Sequence, residues 1–474
     1  MLFNSFEFLL FLPTVFILYW FVFKQRKSQN ILLLVASYVF YGWWDWRFLS
    51  LILFSTVVDF TLGLALSKSN DLSKRKYFLW ISLCVNLGLL GFFKYYNFFV
   101  DSWVESWGNF GIQMHRSALN IILPVGISFY TFQTLSYTID VYRNKLDPSK
   151  DFIAFATYVS FFPQLVAGPI ERATNLLPQF YKKREFNYER AVSGMKLILW
   201  GLIKKVVVAD TCARLVNLIF ENYQNESGLA LVMGAVFFAF QIYGDFSGYS
   251  DIAIGTSRLF GFDLMRNFNY PYFSRDIAEF WRRWHISLST WFRDYLYIPI
   301  GGSKGKQLVK IRNVFIIFLV SGFWHGANWT FVFWGGLNAL FFLPLLLRNK
   351  NRKNTNQVAE KRLTPTFQEL LQICITFSIT TFSWIFFRSE TINDAFVYIE
   401  RIFNFSNFIP DVIKHKKGLP IILIFIIIEW FSRKQEYAIV LDKKLRYVFY
   451  LIFAFVVLYY ASIQKNSTFI YFQF

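Results

Sequence analysis

Residues 314–347, VFIIFLVSGFWHGANWTFVFWGGLNALFFLPLLL, form an apolar run that contains no Asp, Glu, Lys or Arg. A helix rises about 1.5 Å per residue, so about 20 residues cross a hydrocarbon layer of about 30 Å. The run therefore predicts two consecutive membrane spans, 314–330 and 331–347. His325 falls near the middle of the first, where an ionisable side chain marks a candidate functional site.

The composition of the whole chain agrees with this interpretation. Of its 474 residues, 22% are aromatic and 17% are charged, and 60 are phenylalanine. A soluble chain carries about 25% charged residues and has no use for so many rings. The composition thus favours lipid as the solvent and argues against intrinsic disorder.

The net charge of +19 reports orientation rather than nucleic-acid binding. The basic residues occur in short clusters between apolar runs, as the positive-inside rule describes for multi-pass membrane proteins. Cytoplasmic clusters are predicted at 24–27, 68–76, 304–312, 348–362 and 433–446.

The apolar runs predict one all-α membrane domain, 1–474, with about 11–12 transmembrane helices. The run 152–168 ends in Pro- and Gly-rich sequence and fits a re-entrant segment better than a span. Residues 349–366 are predicted as a solvated cytoplasmic loop, 388–418 as an extracytoplasmic insertion, and 465–474 as an aromatic tail on the outer side. The predicted spans are 8–23, 31–44, 48–66, 77–100, 119–141, 191–209, 229–247, 314–330, 331–347, 367–387, 419–432 and 446–462.

Residues 270–302 are too charged to face lipid and too aromatic to form a free loop. We expect this stretch to pack into the bundle, with its guanidinium groups paired to carboxylates or stacked on rings. It contains His285, which is either functional or simply held by a neighbouring carboxylate such as Asp294.

His325 likewise has two interpretations: a catalytic group, or an imidazole satisfied by a carbonyl or serine across a helix interface. Together with His285 it suggests one base and one supporting donor, although the sequence does not prove that the two meet. His115 and His415 are predicted to be solvated surface residues.

Asp245 and Asp251 lie near the end of a predicted span. They are either part of a polar, capped turn or they line a pore. No metal site is predicted, because the histidines lack HxxxH or HExxH spacing and no cysteine stands near them.

Seven motifs spread over nearly the whole chain resemble the membrane-bound O-acyltransferase superfamily, and within it the bacterial branch typified by alginate O-acetyltransferases. Each motif is modest alone, but their number and order make the resemblance strong. The motifs are MLFNSFEFLLFLP (1–13), YVFYGWWDWRFL (38–49), LPVGISFYTFQTLSYTIDVYR (123–143), FFPQLVAGPIER (161–172), YGDFSGYSDIAIG (243–255), FWRRWHISLSTWFRDYLYIPIGG (280–302) and FWHGANWTFVFWGGLNA (323–339).

The resemblance implies a fold in which spans and re-entrant segments form a funnel or tunnel. It implies that His325 is the catalytic histidine and His285 its companion. Asn328, Trp324 or an imidazole would then donate to the oxyanion of an acyl-transfer intermediate. The expected acyl donor is a cytoplasmic thioester such as acetyl-CoA, used as a substrate, and no bound cofactor is expected.

The resemblance also gives the tail FIYFQF a possible role. In this branch such an element looks like an acyl acceptor, which would make Tyr471 a transient carrier. The alternative is an aromatic belt at the membrane interface.

The leading functional hypothesis is O-acetylation of an extracytoplasmic polysaccharide, alginate-like or another exopolysaccharide, from the bacterial inner membrane. A periplasmic or surface esterase-like partner would complete the transfer. Peptidoglycan or teichoic-acid acyl transfer is the alternative within the enzyme class. A transporter or flippase, with a proton relay through His285, His325, Asp245 and Asp251, is the alternative from another class.

Overall fold

The computed structural model describes residues 1–114, 119, 121–166, 168–404, 415–436, 446–463 and 469–470, and these residues contain helices but no strands. Seven helical segments in the described part are long and apolar enough to cross a bilayer. Three shorter apolar segments are Phe6–Val22, Phe152–Leu165 and Leu419–Ser432. The predicted all-α, multi-pass membrane architecture is confirmed.

Twenty α-helices follow one another along the described chain. They are α1 (Phe6–Ile17), α2 (Arg26–Asp45), α3 (Leu49–Lys68), α4 (Leu72–Leu90), α5 (Tyr96–Gly108), α6 (Ile127–Tyr142), α7 (Phe152–Ser160), α8 (Phe162–Leu165), α9 (Ala173–Leu176), α10 (Tyr188–Leu202), α11 (Asp210–Glu221), α12 (Gly228–Leu259), α13 (Ile277–Arg283), α14 (Ile286–Phe292), α15 (Gln307–His325), α16 (Trp329–Leu347), α17 (Phe367–Arg388), α18 (Ile392–Ile402), α19 (Leu419–Ser432) and α20 (Arg446–Ile463).

The chain divides into two compact units. The first comprises residues 1–194 and 253–265, and the second comprises residues 195–252 and 266–474. Apolar side chains are widely exposed on the long helices, and in α20 the exposed fractions of Leu451 and Phe455 are 72% and 70%. Such a surface is suited to lipid rather than water.

A buried polar network ties α3, α4 and α6 together in the first unit. The Asp59 carboxylate of α3 accepts hydrogen bonds from Ser82 and Asn86 of α4 and from Thr138 of α6. In lipid no water can satisfy these groups, so the helices must satisfy one another. The network therefore fixes the relative positions of three helices.

Two predicted segments of the first unit have different boundaries in the structure. The span predicted at 119–141 begins only at Ile127, because Gly126 adopts a left-handed conformation (φ 76°). A Cβ at Gly126 would also collide with the Leu165 carbonyl oxygen. The run 152–168, predicted to be re-entrant, forms the short helices α7 and α8, of nine and four residues, which are too short to cross a bilayer.

In the second unit, α15 and α16 form a tightly packed hairpin. A Cβ at Gly322 would collide with the carbonyl oxygen of Phe331, and a Cβ at Gly335 would collide with that of Phe318. The two backbones can approach this closely only because both positions lack a side chain. The first helix ends at His325 rather than at residue 330 as predicted, because Gly326 is extended (φ −159°, ψ 153°) and Asn328 begins the next helix.

The span predicted at 191–209 is part of a longer helical segment in which α10 continues through a π-helical turn, Ile203–Ala209, into α11. Glycines again permit the packing, since a Cβ at Gly201 would lie 2.5 Å from the Gly248 carbonyl oxygen of α12. This contact holds the end of α10, just before the π-helical turn, against α12.

The stretch 270–302 packs as predicted. Arg275 and Arg283 both pair with Glu279, at 3.0 and 2.8 Å. Arg282 donates to the carbonyl oxygens of Asn351 and Asn354. Part of the loop predicted to be solvated, 349–366, is thereby attached to α13.

The glycine contact of the α15–α16 hairpin leads to a prediction. Replacing Gly322 or Gly335 with Ala forces the backbones apart, and overpacking of this kind costs about 1–3 kcal/mol of stability. We expect each variant to unfold at a lower temperature than the wild type in detergent.

Gly336→Ala is the matched control, because the nearest atom to its Cβ, Leu319 Cδ2, is 3.6 Å away. Unfolding of Gly322→Ala at the wild-type temperature would contradict the close contact.

Candidate active site

The structure brings the two predicted histidines together in the second unit. The ring centroids of His285 and His325 are 6.5 Å apart. Trp324 lies beside both, with its ring centroid 6.1 Å from that of His285 and 4.9 Å from that of His325. These three side chains, all buried, form the core of the candidate site.

His325 is the last residue of α15 and is enclosed by aromatic rings from the next two helices. The centroid of Trp334, on α16, is 5.3 Å away, and that of Phe387, on α17, is 5.5 Å away. Trp384 stacks on Trp334 behind them, with centroids 5.4 Å apart. Such a wall excludes water and strengthens electrostatic interactions inside the site.

His285 connects α13 to α14 in a left-handed conformation (φ 45°, ψ 55°). Few residues other than glycine adopt this conformation, and those that do cluster at functional sites. Its ring packs edge-on against Phe246 of α12, with centroids 4.6 Å apart. Burial lowers the pKa of the His285 imidazole to about 3, so the ring is neutral near pH 7.

The nearer hydrogen-bond partner of His285 is Asn267, in the segment that follows α12, and the Ser287 hydroxyl lies 3.5 Å from the same ring nitrogen, Nδ1. His285 Nδ1 lies 3.1 Å from Asn267 Oδ1, which also accepts from the backbone N–H and the hydroxyl of Ser287. Asp294, considered from the sequence as a partner, pairs instead with Arg293 at 2.6 Å. That part of the sequence interpretation is wrong.

Both polar atoms of the Asn328 side chain are hydrogen-bonded to the protein backbone. Its Oδ1 accepts from the backbone N–H of Thr330 and caps α16, and its Nδ2 donates to the carbonyl oxygen of Glu390 at 2.8 Å. The structure thus shows Asn328 as the N-cap of α16, and its role as an oxyanion donor stays a prediction.

Asp245 and Asp251 are ion-pair partners of two adjacent lysines on the π-helical turn. Lys204 Nζ lies 2.9 Å from the Asp251 carboxylate, and Lys205 Nζ lies 2.9 Å from that of Asp245. Two further carboxylates join the cluster: Glu429, 3.9 Å from Lys204, and Asp210, 2.7 Å from Lys205. The pairing gives both predicted aspartates a structural role in neutralising buried lysines.

The described part of the tail lies close to this cluster. The backbone N–H of Ile470 donates to Asp245 at 2.6 Å, and the buried ring of Phe469 packs against Tyr249, with centroids 4.3 Å apart. Phe469 also contacts Phe246, which in turn packs on His285. Tyr471, the predicted carrier, lies outside the described residues.

The other two histidines were predicted to be solvated. His415 is instead buried, and its Nε2 lies 3.2 Å from Glu226 Oε1. The prediction rested on the adjacent residues Lys414 and Lys416. The residue that pairs with His415 is 189 positions away in the sequence, so its neighbours did not reveal the contact. His115 lies outside the described residues. In the part of the chain that the structure describes, no group of three His, Cys, Asp or Glu side chains could hold a metal ion.

The sequence interpretation missed Asn267 and the lysine pair. A signal existed for the lysines, because Lys204 and Lys205 interrupt the apolar run 197–209 and intramembrane lysines need acidic partners. Asn267 gives no comparable signal, since one asparagine in a polar connection is ordinary. Its contact with His285 depends on the packing of the chain.

Comparison with known proteins places this site within a matched region. Residues 143–386, which include both histidines, match the model of MBOAT, the membrane-bound O-acyltransferase family. The chain is 39% identical to the probable alginate O-acetylase AlgI of Pseudomonas aeruginosa over 444 residues, covering 92% of this chain and 82% of that protein.

Two relatives with other names are also similar. A peptidoglycan O-acetyltransferase of Helicobacter pylori is 35% identical, over 83% of this chain and 78% of that protein. A teichoic acid D-alanyltransferase of Bacillus subtilis is 27% identical, over 59% of this chain and 72% of that protein. Because residues 143–386 match the family model and the alginate O-acetylase is 39% identical over most of both chains, this chain belongs to the membrane-bound O-acyltransferase family.

Proposed function

We propose that this O-acyltransferase moves acetyl groups from a cytoplasmic thioester, acetyl-CoA, to an extracytoplasmic polysaccharide. The observation that carries the proposal is the pair of buried histidines, 6.5 Å apart, within an aromatic enclosure. Acyl transfer needs a group that removes a proton from the accepting hydroxyl, and a neutral imidazole meets that need.

In the proposed reaction, His325 takes the proton of the accepting hydroxyl as its oxygen attacks the thioester carbonyl. The new C–O bond forms, the tetrahedral oxyanion collapses, and the C–S bond breaks. The proton on His325 then passes to the leaving sulfur, which departs as a thiol. Trp324, whose ring lies beside both histidines, would donate its indole N–H to the oxyanion.

Two features support the choice of substrates. The basic clusters at 304–312 and 348–362, predicted to be cytoplasmic, complement the phosphates of coenzyme A. The relatives named as acetylases of alginate and peptidoglycan share 35–39% identity with this chain, more than the D-alanyltransferase shares. An alginate-like or other exopolysaccharide is our first choice of acceptor, and peptidoglycan is the second.

We further propose that Tyr471 carries the acetyl group between donor and final acceptor. Two contacts support a position of the tail near the histidines. The backbone N–H of Ile470 donates to Asp245, and Phe469 packs on Phe246, whose ring contacts His285. The protein would act in the bacterial inner membrane, with a periplasmic or surface esterase-like partner completing the transfer to the polymer.

His325 is the base in the proposed reaction. His325→Ala should lower acetylation of the envelope polymer by about 100-fold or more, the usual contribution of a general base. Ester-linked acetate is measured on purified exopolysaccharide and on peptidoglycan from the same cells, so the experiment also identifies the acceptor.

His415→Gln is the matched control, since glutamine can still donate to Glu226 and we expect wild-type acetylation. Normal acetylation by His325→Ala, at wild-type amounts in the membrane, would refute the catalytic assignment.

The Tyr471 hydroxyl is the proposed carrier of the acetyl group. Tyr471→Phe keeps the ring but removes the hydroxyl, so we expect acetylation of the polymer to be lost while the protein accumulates normally. In the wild type incubated with acetyl-CoA, mass spectrometry of the C-terminal peptide should find an acetyl ester on Tyr471.

Tyr459→Phe serves as the control, because Tyr459 is an exposed residue on α20 with no assigned role. Retained activity in Tyr471→Phe would reduce the tail to a structural anchor.

A further inference from the structure

Asn267 is completely buried and held by the backbone on both sides. Its backbone carbonyl oxygen accepts from the backbone N–H of Ile286, and the N–H of Asn269 donates to the carbonyl oxygen of Arg283. The segment around Asn267 is thus paired with the turn that carries His285. This pairing leaves the Asn267 side chain little freedom to move away from the imidazole.

The orientation of the Asn267 amide follows from its contacts. The backbone N–H of Ser287 can only donate, and it points at the same amide atom as the Ser287 hydroxyl, at 3.3 and 2.9 Å. That atom must therefore be the oxygen, Oδ1. With the amide reversed, its NH₂ group would face the N–H of Ser287, donor against donor.

The orientation of the amide in turn fixes the imidazole. Because Oδ1 can only accept, Nδ1 of His285 must carry a hydrogen and donate it across the 3.1 Å contact. In a neutral ring the other nitrogen, Nε2, then has a lone pair and no hydrogen. Nε2 is buried and has no hydrogen-bond partner among the described residues.

We propose that Asn267 is a positioning residue that holds His285 in the Nδ1–H tautomer, so that Nε2 acts as a hydrogen-bond and proton acceptor in the site. In this form His285 does not donate to the oxyanion, and the second histidine is an acceptor rather than the supporting donor expected from the sequence. The inference rests on the proposed acyl transfer but assigns a residue that the transfer itself does not identify.

Asn267→Leu has a similar volume and cannot accept a hydrogen bond. Loss of a partner that orients a functional histidine typically lowers activity 10–100-fold. We expect a loss of this size in kcat for CoA release from acetyl-CoA by the purified protein, with KM for acetyl-CoA unchanged. Asn267→Asp keeps an acceptor oxygen and should retain most of the activity.

The aspartate variant also provides a readout that a merely structural role would not move. A carboxylate beside Nδ1 stabilises the imidazolium, which has lost its Nε2 lone pair. As the pH is lowered, the His285 ring of the Asn267→Asp variant should therefore be protonated earlier than that of the wild type. Its activity should fall at a higher pH than the activity of the wild type does. Among the contacts of the His285 ring, the titratable neighbour is His325 of α15, and the remaining ring neighbours are Phe246, Phe268 and Trp324.

Ser289→Ala, on the same helix but without contact to Asn267, is the matched control and should behave as the wild type. The inference is overturned if Asn267→Leu keeps the wild-type kcat, or if Asn267→Asp has the wild-type pH profile. Should Asn267→Leu fail to fold, the pH profile of Asn267→Asp alone decides. Absence of His325-dependent CoA release in the wild type would instead refute the proposed function.

Discussion

The backbone contact between α15 and α16 is the constraint on which the candidate site depends. Gly322 and Gly335 let the two helices meet without intervening side chains. Any residue larger than glycine would separate the ends of the hairpin that carry His325 and Trp334. Because dispersion and hydrogen bonding replace the hydrophobic effect between helices in lipid, such close contact is a main source of packing energy there.

Buried polar contacts do the remaining positioning. Asp59 joins three helices in the first unit, and the lysine pair joins the π-helical turn to α12 in the second. Both arrangements obey one rule: a polar group without water must find a partner within the protein. Asn267 applies the same rule to the site itself, where its oxygen orients an imidazole instead of merely satisfying it.

The all-α architecture was predictable because it depends on local signals, and local signals also singled out the two histidines that the structure brings together. An apolar run of sufficient length indicates a span, and an ionisable group within it, such as His325, marks a candidate site. His285 is marked instead by the charged and aromatic stretch around it. Contacts over long sequence distances were not predictable in this way, as His415 and Glu226 demonstrate. Asn328 illustrates a signal inside an apolar run: an asparagine that shortly follows a glycine, here Gly326, marks the N-cap of a new helix, and α16 begins there.

The short connection between α15 and α16 affects the order in which the site is assembled during synthesis. Neighbouring helices joined by residues 326–328 close only a small loop, so little chain entropy opposes their pairing. The hairpin can form as soon as both helices have entered the bilayer. Phe387, however, is synthesised only after the loop that precedes α17, so His325 acquires the last wall of its enclosure late. The nascent protein thus contains a placed histidine before it contains a closed site.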